Sequence, residues 1–205
     1  MCFLSLVQQF PLQILREFQQ VATHIQQVYP QAAVQISRTV PATQLELETF
    51  QVFKNIQLPQ ELLSLYSESN GFTFTADNIF QSVSANFSVP SIQELQLLTI
   101  DDEKYFLIQQ LKFGRIFLHA NSQVFIQPSF NQALRPISAS LTVYVKTMKS
   151  LFFLTGIEAI FMNLNPNNEQ REVLGVLDEN ANFVVEEIMG MGQNQLGRKF
   201  RGKVK

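Results

Sequence analysis

The chain has 205 residues, of which 46% are hydrophobic and only 16% are charged, so it can bury a sizeable core and we expect order over most of its length. Its single cysteine, Cys2, excludes a disulfide framework within the chain and fits a reducing compartment, so we expect a cytoplasmic protein. The last eight residues hold five basic groups and no acidic ones. Residues 1–197 therefore carry 10 Lys and Arg against 17 Asp and Glu, a balance of −7 within an overall net charge of −2.

Neither of the two apolar runs in the chain has the features of an export or membrane signal. The run from Cys2 to Val7 has no basic residue before it and is shorter than the apolar run of about 7–15 residues that a secretory signal needs. The run from Leu151 to Leu164 is interrupted by polar residues and falls short of the roughly 20 residues that span a bilayer. We therefore expect no membrane role.

The clearest helix is predicted over residues 10–29. Apolar residues recur there at steps of three and four, which places them on one helix face, and Pro30 ends the pattern. Residues 31–42 have a looser pattern, so we expect residues 1–42 to form an N-terminal helical element packed on the domain that follows. The apolar stripe of the helix consists of Phe10, Ile14, Phe18, Val21, Ile25 and Val28.

Two further helices are predicted before the first strand. One runs from Thr43 to Phe53, and the next begins at Pro59 and ends at Asn70-Gly71, because glycine, and less readily asparagine, tolerates the left-handed conformation past a last turn. The buried face of this third helix is expected to consist of Leu62, Leu63 and Tyr66.

From Phe72 the apolar period changes from 3.6 toward two, which predicts short strands with a turn at Asp77-Asn78 between them. Ser91 and Glu94 have the spacing of a capping box, so a short helix through Leu98 is expected after the first strands. Strand character returns in three further segments. These are Tyr105–Ile108, Phe113–His119 and Gln123–Gln127, the last two linked by a turn at residues 120–122.

The last third of the chain is predicted to contain a helix and then a hairpin. The helix starts at Ser138 or Ser140, and the hairpin pairs Val173–Leu177 with Phe183–Val185. The order of elements predicts an α+β fold: a mixed, mostly antiparallel sheet with helices packed on one side. We expect a central α+β domain over residues 43–165, and a hairpin extension with a basic tail over residues 166–205.

No arrangement of residues predicts catalysis, a cofactor or a metal site. The only histidines, His24 and His119, have no nucleophile motif nearby, and one terminal cysteine with two isolated histidines cannot supply a structural zinc site. Gly190 and Gly192 lack the Gly-Lys-Ser/Thr of a phosphate loop. We therefore expect no enzyme.

Two charged segments are candidate binding sites. Asp101, Asp102 and Glu103 are consecutive, so they point in different directions; they are either a solvated turn or an acidic patch that meets a basic partner. The basic tail is either a solvated terminus or a phosphate-binding segment for nucleic acid. Its basic residues are Arg198, Lys199, Arg201, Lys203 and Lys205.

An ordered series of residues resembles the SUKH superfamily, which contains fungal cell-wall assembly regulators and bacterial immunity proteins. The series is Leu58-Pro59, the helix aromatic Tyr66, Asn70-Gly71-Phe72, then Ser91–Leu95 with Glu94, and a glycine-containing strand at Gly114. The resemblance covers roughly residues 43–160 and implies structural roles for Leu58, Pro59, Tyr66, Asn70, Gly71 and Glu94. The chain departs from the family in having no Trp, and it has His119 and Gln127 where relatives often carry Asp and Trp.

The resemblance implies a binding scaffold without catalytic residues. We therefore expect a non-catalytic protein-binding domain, most concretely an immunity protein that neutralises a toxin by direct binding. An acidic body suits a basic toxin, because opposite charges steer association. The alternatives are a regulatory scaffold of the cell-wall assembly regulator type and a nucleic-acid-associated protein that uses the basic tail.

Overall fold

The computed structural model describes residues 10–129 and 133–190. The helices are α1 (Phe10–Val28), α2 (Gln44–Lys54), α3 (Gln60–Tyr66), α4 (Leu141–Ser150), α5 (Asn168–Leu177) and α6 (181–190), with a 3-10 helix at Ile157–Met162. The strands are β1 (Ala33–Arg38), β2 (Phe72–Phe80), β3 (Val83–Val89), β4 (Gln96–Ile100), β5 (Glu103–Gln110), β6 (Gly114–His119), β7 (Val124–Pro128) and β8 (Arg135–Ser138). Among these residues, no helix combines the length and the apolar character needed to cross a membrane.

The strands form two antiparallel sheets, and the predicted α+β class is confirmed. Sheet A has the order β1-β2-β3, and sheet B has the order β4-β5-β6-β7-β8. Every strand pair is antiparallel. The strands form two sheets, whereas the sequence predicts one mixed sheet. The chain therefore builds each sheet from neighbouring segments, except for β1, which reaches β2 across α2 and α3.

Phe18 of α1 lies at the centre of the core. Its ring centroid is 4.4 Å from that of Phe153, 4.6 Å from Phe72, 5.1 Å from Phe87 and 5.5 Å from Phe74. Phe18 itself has 0% of its surface exposed. One aromatic ring thus joins α1 to β2, to β3 and to the segment that follows α4.

The segment after α4 covers the free edge of β3. The N–H of Asn86 donates to the carbonyl of Phe153 at 2.9 Å, and the N–H of Thr155 donates to the carbonyl of Ser84 at 2.8 Å. Phe152 and Phe153 both adopt left-handed backbone conformations, with φ of 54° and 53°. This conformation costs roughly 1–2 kcal/mol per residue, and burial of the Phe153 ring among Phe18, Phe74 and Phe87 offsets it.

Two predictions in the N-terminal half are wrong. Residues 31–42 contain strand β1, whose Ile36 lies opposite Phe74 of β2. Helix α3 ends at Tyr66, four residues before Asn70, and its buried residues include Leu62, Leu65 and Tyr66 while Leu63 is only partly buried. The end of α3 at Tyr66 leaves residues 67–71 to make a tight connection into β2.

The predictions between Phe72 and Leu98 also need correction. Strand β2 is continuous through the predicted turn at Asp77-Asn78, with an irregularity in its pairing between Ala76 and Phe80. The predicted helix at 91–98 is a turn followed by β4, because Leu97 pairs with Phe106 of β5. The amide of Glu94 donates to the backbone carbonyl of Ser91 at 3.0 Å, which closes the turn.

The predicted hairpin at 173–185 is wrong, because this segment forms the helices α5 and α6. Asn167 caps α5 and shares a capping box with Gln170. Leu174 and Leu177 are buried on α5, at a helical step of three that a strand prediction overlooks. The pair α5–α6 is joined by a salt bridge of 3.1 Å between Arg171 and Glu186.

The predicted helices at 10–29, 43–53 and after Ser140 are present as α1, α2 and α4. Thr43 caps α2 through its side chain and forms a capping box with Glu46. For α4, the choice between two starting serines is settled in favour of Ser140, whose hydroxyl accepts a hydrogen bond from the N–H of Val143 at 3.2 Å.

Truncation of Phe18 tests the role of the central ring. We expect Phe18→Ala to lower the free energy of unfolding by about 3–5 kcal/mol, because it removes a fully buried ring and leaves a cavity. Phe183→Ala is the matched control: 70% of Phe183 is exposed, so its loss should change stability by less than about 0.5 kcal/mol. Urea denaturation of both variants makes the comparison, and equal effects would contradict a core centred on Phe18.

Candidate protein-binding surface

The residues predicted to carry the family motif form a structural joint between α2, α3 and the turn at 90–94. Tyr66 is fully buried, and its hydroxyl donates to the carbonyl of Pro90 at 3.0 Å. Burial raises the pKa of Tyr66 above its ordinary value, with a smaller contribution from Glu94. Leu58 is buried, and its N–H donates to the side-chain oxygen of Gln51 on α2 at 3.0 Å. Pro59, at the start of α3, is buried as well.

Asn70 ties this joint together through both ends of its amide. Its oxygen accepts from the N–H of Ile92 at 2.7 Å, and its nitrogen donates to Gln93 at 2.9 Å. Gln93 in turn donates to Glu46 at 2.9 Å, which links the turn to the first turn of α2. Gly71 has φ of 100°, and a Cβ there would lie 3.1 Å from the backbone nitrogen of Ser91, so any other residue would be strained in its backbone and crowded against the turn.

Two carboxylates at this joint are held as anions by short-range hydrogen bonds. Glu94 accepts from the hydroxyl of Ser91 at 2.7 Å and from its N–H at 3.2 Å, and these bonds lower the pKa of Glu94. Glu46 accepts from the backbone and side chain of Thr43, which lowers the pKa of Glu46 in the same way. Glu94 therefore has a structural role in a turn, and Glu46 contributes negative charge in the first turn of α2.

The predicted acidic segment forms the turn between β4 and β5. Asp101 and Asp102 have φ of 51° and 66°, the left-handed pair that a two-residue hairpin turn requires and that Asp tolerates. Asp101, Asp102 and Glu103 are all exposed, and Glu103 lies 3.1 Å from the ring nitrogen of His119. The segment is an exposed turn that joins two strands, whereas the sequence predicts a helix before it.

Lys104 brings this acidic turn to the end of α2. Its ammonium donates to the carbonyl of Asn55 at 2.8 Å, and Asn55 is the left-handed residue that caps α2. This hydrogen bond connects the start of β5, next to the acidic turn, to the C-terminal end of α2.

Helix α2 exposes apolar side chains on the side that faces away from the core. Leu45 is 72% exposed, Val52 82% and Phe53 79%, whereas Leu47 on the opposite side is 4% exposed. The ammonium of Lys54 lies 5.4 Å from the centre of the Phe53 ring and leaves most of that ring open to solvent.

A groove of about 540 Å³ lies beside this exposed side. It is lined by Glu48, Gln51, Val52, Asn55, Ile56 and Gln57. Two apolar side chains, three amides and one carboxylate thus face the groove. We define the α2 surface as Leu45, Glu48, Val52, Phe53 and the groove, together with the acidic turn at 101–103.

Both histidines make contacts within the fold. His24 lies 2.8 Å from the carbonyl of Leu177, and its ring stacks on Phe152 with centroids 5.7 Å apart. His119 contacts Glu103 and the N–H of Asn121. Among residues 10–129 and 133–190, no three metal-ligating side chains are grouped. Cys2 and the basic tail, with Arg198, Lys199, Arg201, Lys203 and Lys205, lie outside the described residues.

One buried acidic group was not anticipated from the sequence. Glu158 of the 3-10 helix is 1% exposed, and one of its oxygens has no hydrogen-bond partner within the described part of the chain. Burial raises the pKa of Glu158, while the N–H groups of Gly156 and Phe113 and the charge of Lys112 act in the opposite direction. The Tyr144 hydroxyl is also buried without a partner in this part of the chain, and burial, with Glu158 nearby, raises the pKa of Tyr144.

Comparison with known proteins assigns no family. No family model matches the chain, and neither does any curated protein.

Removal of the Asn70 amide tests the structural joint. We expect Asn70→Ala to lower the free energy of unfolding by about 1–3 kcal/mol, because the buried N–H of Ile92 loses its acceptor. Gln93→Ala removes only exposed hydrogen bonds and should cost less than about 1 kcal/mol. Chemical denaturation compares the two, and a loss for Asn70→Ala no larger than for Gln93→Ala would show that the joint is not organised by Asn70.

The raised pKa of Glu158 predicts a pH dependence of stability. The folded chain keeps the Glu158 proton above the ordinary value of 4.5, at which the unfolded chain releases it. The stability this proton contributes is fully present below the unfolded pKa and is lost as pH rises through the raised folded pKa. Glu158→Gln stays neutral, so the free energy of unfolding of wild type minus that of the variant should fall as pH rises above about 4.5. A difference that is constant from pH 4 to 8 would contradict a raised pKa.

Proposed function

We propose that the chain is a non-catalytic protein-binding domain of the immunity type, which acts in the cytoplasm and neutralises a toxin by binding it directly. The observation that carries the proposal is the α2 surface, where Leu45, Val52 and Phe53 are each more than 70% exposed beside an open groove. Large apolar side chains grouped on one helix and bordered by polar residues are typical of protein-binding sites.

The charge around this surface favours a basic partner. Five acidic residues belong to this region, namely Glu46, Glu48 and residues 101–103, against two basic ones, Lys54 and Lys104. Lys104 is already engaged by the carbonyl of Asn55. Opposite charge on a partner would raise the rate of association and exclude acidic competitors.

The same site argues for binding rather than chemistry. Its groove is lined by amides, one carboxylate and apolar groups, which recognise a surface but offer no nucleophile and base within hydrogen-bond reach of each other. The residues that resemble the SUKH pattern lie in the joint that positions α2, which supports a role for them in presenting this surface.

The proposal is tested with toxins encoded beside this gene, assayed alone and with the purified chain. We expect one of them to be inhibited, and we expect Val52→Asp/Phe53→Asp to weaken its binding by at least about 100-fold, because hot-spot residues are worth about 2 kcal/mol or more each. Isothermal titration calorimetry gives the affinity, and residual toxin activity gives the inhibition.

Phe183→Asp is the matched control for this experiment. Phe183 has nearly the same exposure as Phe53, 70% against 79%, but lies on α6. The control should bind like wild type. Inhibition that survives the double substitution, or is lost equally in the control, would overturn the α2 surface as the binding site, and no inhibition by the wild-type chain would overturn the toxin role.

A second candidate function rests on the five basic groups in the last eight residues, which favour nucleic-acid binding. In that case a chain that ends at residue 197 should lose salt-sensitive binding to DNA or RNA in a filter-binding assay. Unchanged affinity after the truncation would rule out the tail as a nucleic-acid site. The regulatory-scaffold alternative is distinguished by its partners, which would be signalling or envelope-synthesis proteins rather than toxins.

A further inference from the structure

The shape of the α2 surface specifies what kind of segment fits it. Its exposed residues follow the helix at steps of three and four, from Leu45 through Glu48 and Thr49 to Val52, with Phe53 beside them. A stripe with this spacing forms a ridge parallel to the helix axis, and the ridges of one helix pack into the grooves of another. The 11 residues of α2 are about 16 Å long, which is the length of three helical turns.

The acidic groups near the stripe outnumber the basic ones. Glu46 and Glu48 lie between Leu45 and Val52 along α2, one on each side of the stripe. The acidic turn at 101–103 directly precedes Lys104, whose ammonium donates to the carbonyl of Asn55 at the C-terminal end of α2. Lys54, the basic residue of α2, lies over the Phe53 ring. The apolar residues therefore lie at the two ends of the stripe, and Glu46, Glu48 and the turn at 101–103 are its acidic margins.

We propose that the occupant of the α2 surface is a basic amphipathic helix of about three turns from a partner protein, whose apolar stripe packs on Leu45, Val52 and Phe53 while its Lys or Arg residues face the margins. This inference rests on the proposed protein-binding function and adds the secondary structure and the charge of the partner segment. The groove beside Val52 and Ile56 is the place for one large apolar side chain of that helix, as in other helix-in-groove complexes.

A second copy of this chain is a poorer occupant. Pairing of α2 with its own copy about a two-fold axis would bring Glu48 and the acidic turn of one copy toward the same groups of the other. Like charges placed opposite each other oppose association, whereas a basic helix meets the same margins with opposite charge.

An extended segment is the other geometry that the fold offers. Strand β4 has β5 on one side and no strand on the other within the described residues, so a peptide could add to its open edge. Strand addition would perturb β4 at Gln96–Ile100, whereas helix packing would perturb α2, and the two outcomes are separable by experiment.

The experiment uses the full-length ¹⁵N-labelled chain and a synthetic three-turn helix of Lys and Leu with a helical apolar stripe. We expect the peptide to cause chemical-shift changes in the chain that concentrate at residues 45–57 and 101–104. A peptide with Glu in place of Lys, and a Lys/Leu peptide in which the stripe is scrambled, should each bind at least about tenfold more weakly.

Charge removal at the margins supplies the matched variants. Glu48→Gln/Asp101→Asn/Asp102→Asn should weaken binding of the Lys/Leu peptide by about tenfold and reduce the salt dependence of that binding. Asn accepts the left-handed conformation of the turn, so this variant should remain folded. Glu172→Gln/Glu179→Gln/Glu187→Gln removes three exposed acidic groups from α5, α6 and the turn between them, and should bind like wild type.

Each outcome either supports or overturns the inference. Chemical-shift changes centred on β4 would show that the bound segment is extended rather than helical. Changes centred on α5 and α6, equal binding of the Glu peptide, or an equal loss of affinity in the two triple variants would show that the α2 surface is not the binding site. Peptide binding at α2 with no inhibited toxin would leave this inference standing and reject the toxin role, so the two failures are distinguishable.

Discussion

The position of α2 depends on polar contacts at its ends. At its start, Gln93 donates to Glu46, and at its end, Lys104 donates to the carbonyl of Asn55, while Gln51 accepts from the N–H of Leu58 between them. Leu47 is buried and Phe50 packs against the core, so these two side chains turn one side of α2 inward. The hydrogen bonds hold the two ends of the helix in place, and Leu45, Val52 and Phe53 on its outer side stay exposed.

The core and the region around α2 are stabilised by two different kinds of interaction. The Phe18 cluster joins α1, sheet A and the segment after α4 through ring contacts, which need no polar partners. The joint around Asn70 connects the same sheet to α2 through directed hydrogen bonds, which fix orientation better than they add stability. A rigid core with a polar joint on its surface is suited to presenting one helix in a fixed orientation.

Local signals in the sequence predicted the helices and turns that begin or end at a capping or turn residue. Thr43 and Ser140 start helices as expected, and the turn at 101–103 is where its consecutive acids indicate. The period of apolar residues was ambiguous for short segments: Val173–Leu177 fits a strand as well as a helix, and only the Asn167–Gln170 capping box distinguishes them. The sequence does not indicate that Leu45, Val52 and Phe53 all stay exposed, because the exposure of large apolar side chains depends on neighbours distant in sequence.

The proposed binding of a protein partner through the α2 surface can be measured without substitutions. Hydrogen–deuterium exchange of the full-length chain, alone and with the toxin it inhibits, reports on its backbone amides. We expect added protection concentrated at residues 44–57 and 101–104. Protection confined to α5 and α6 or to the edge of β4, with α2 unchanged, would contradict it.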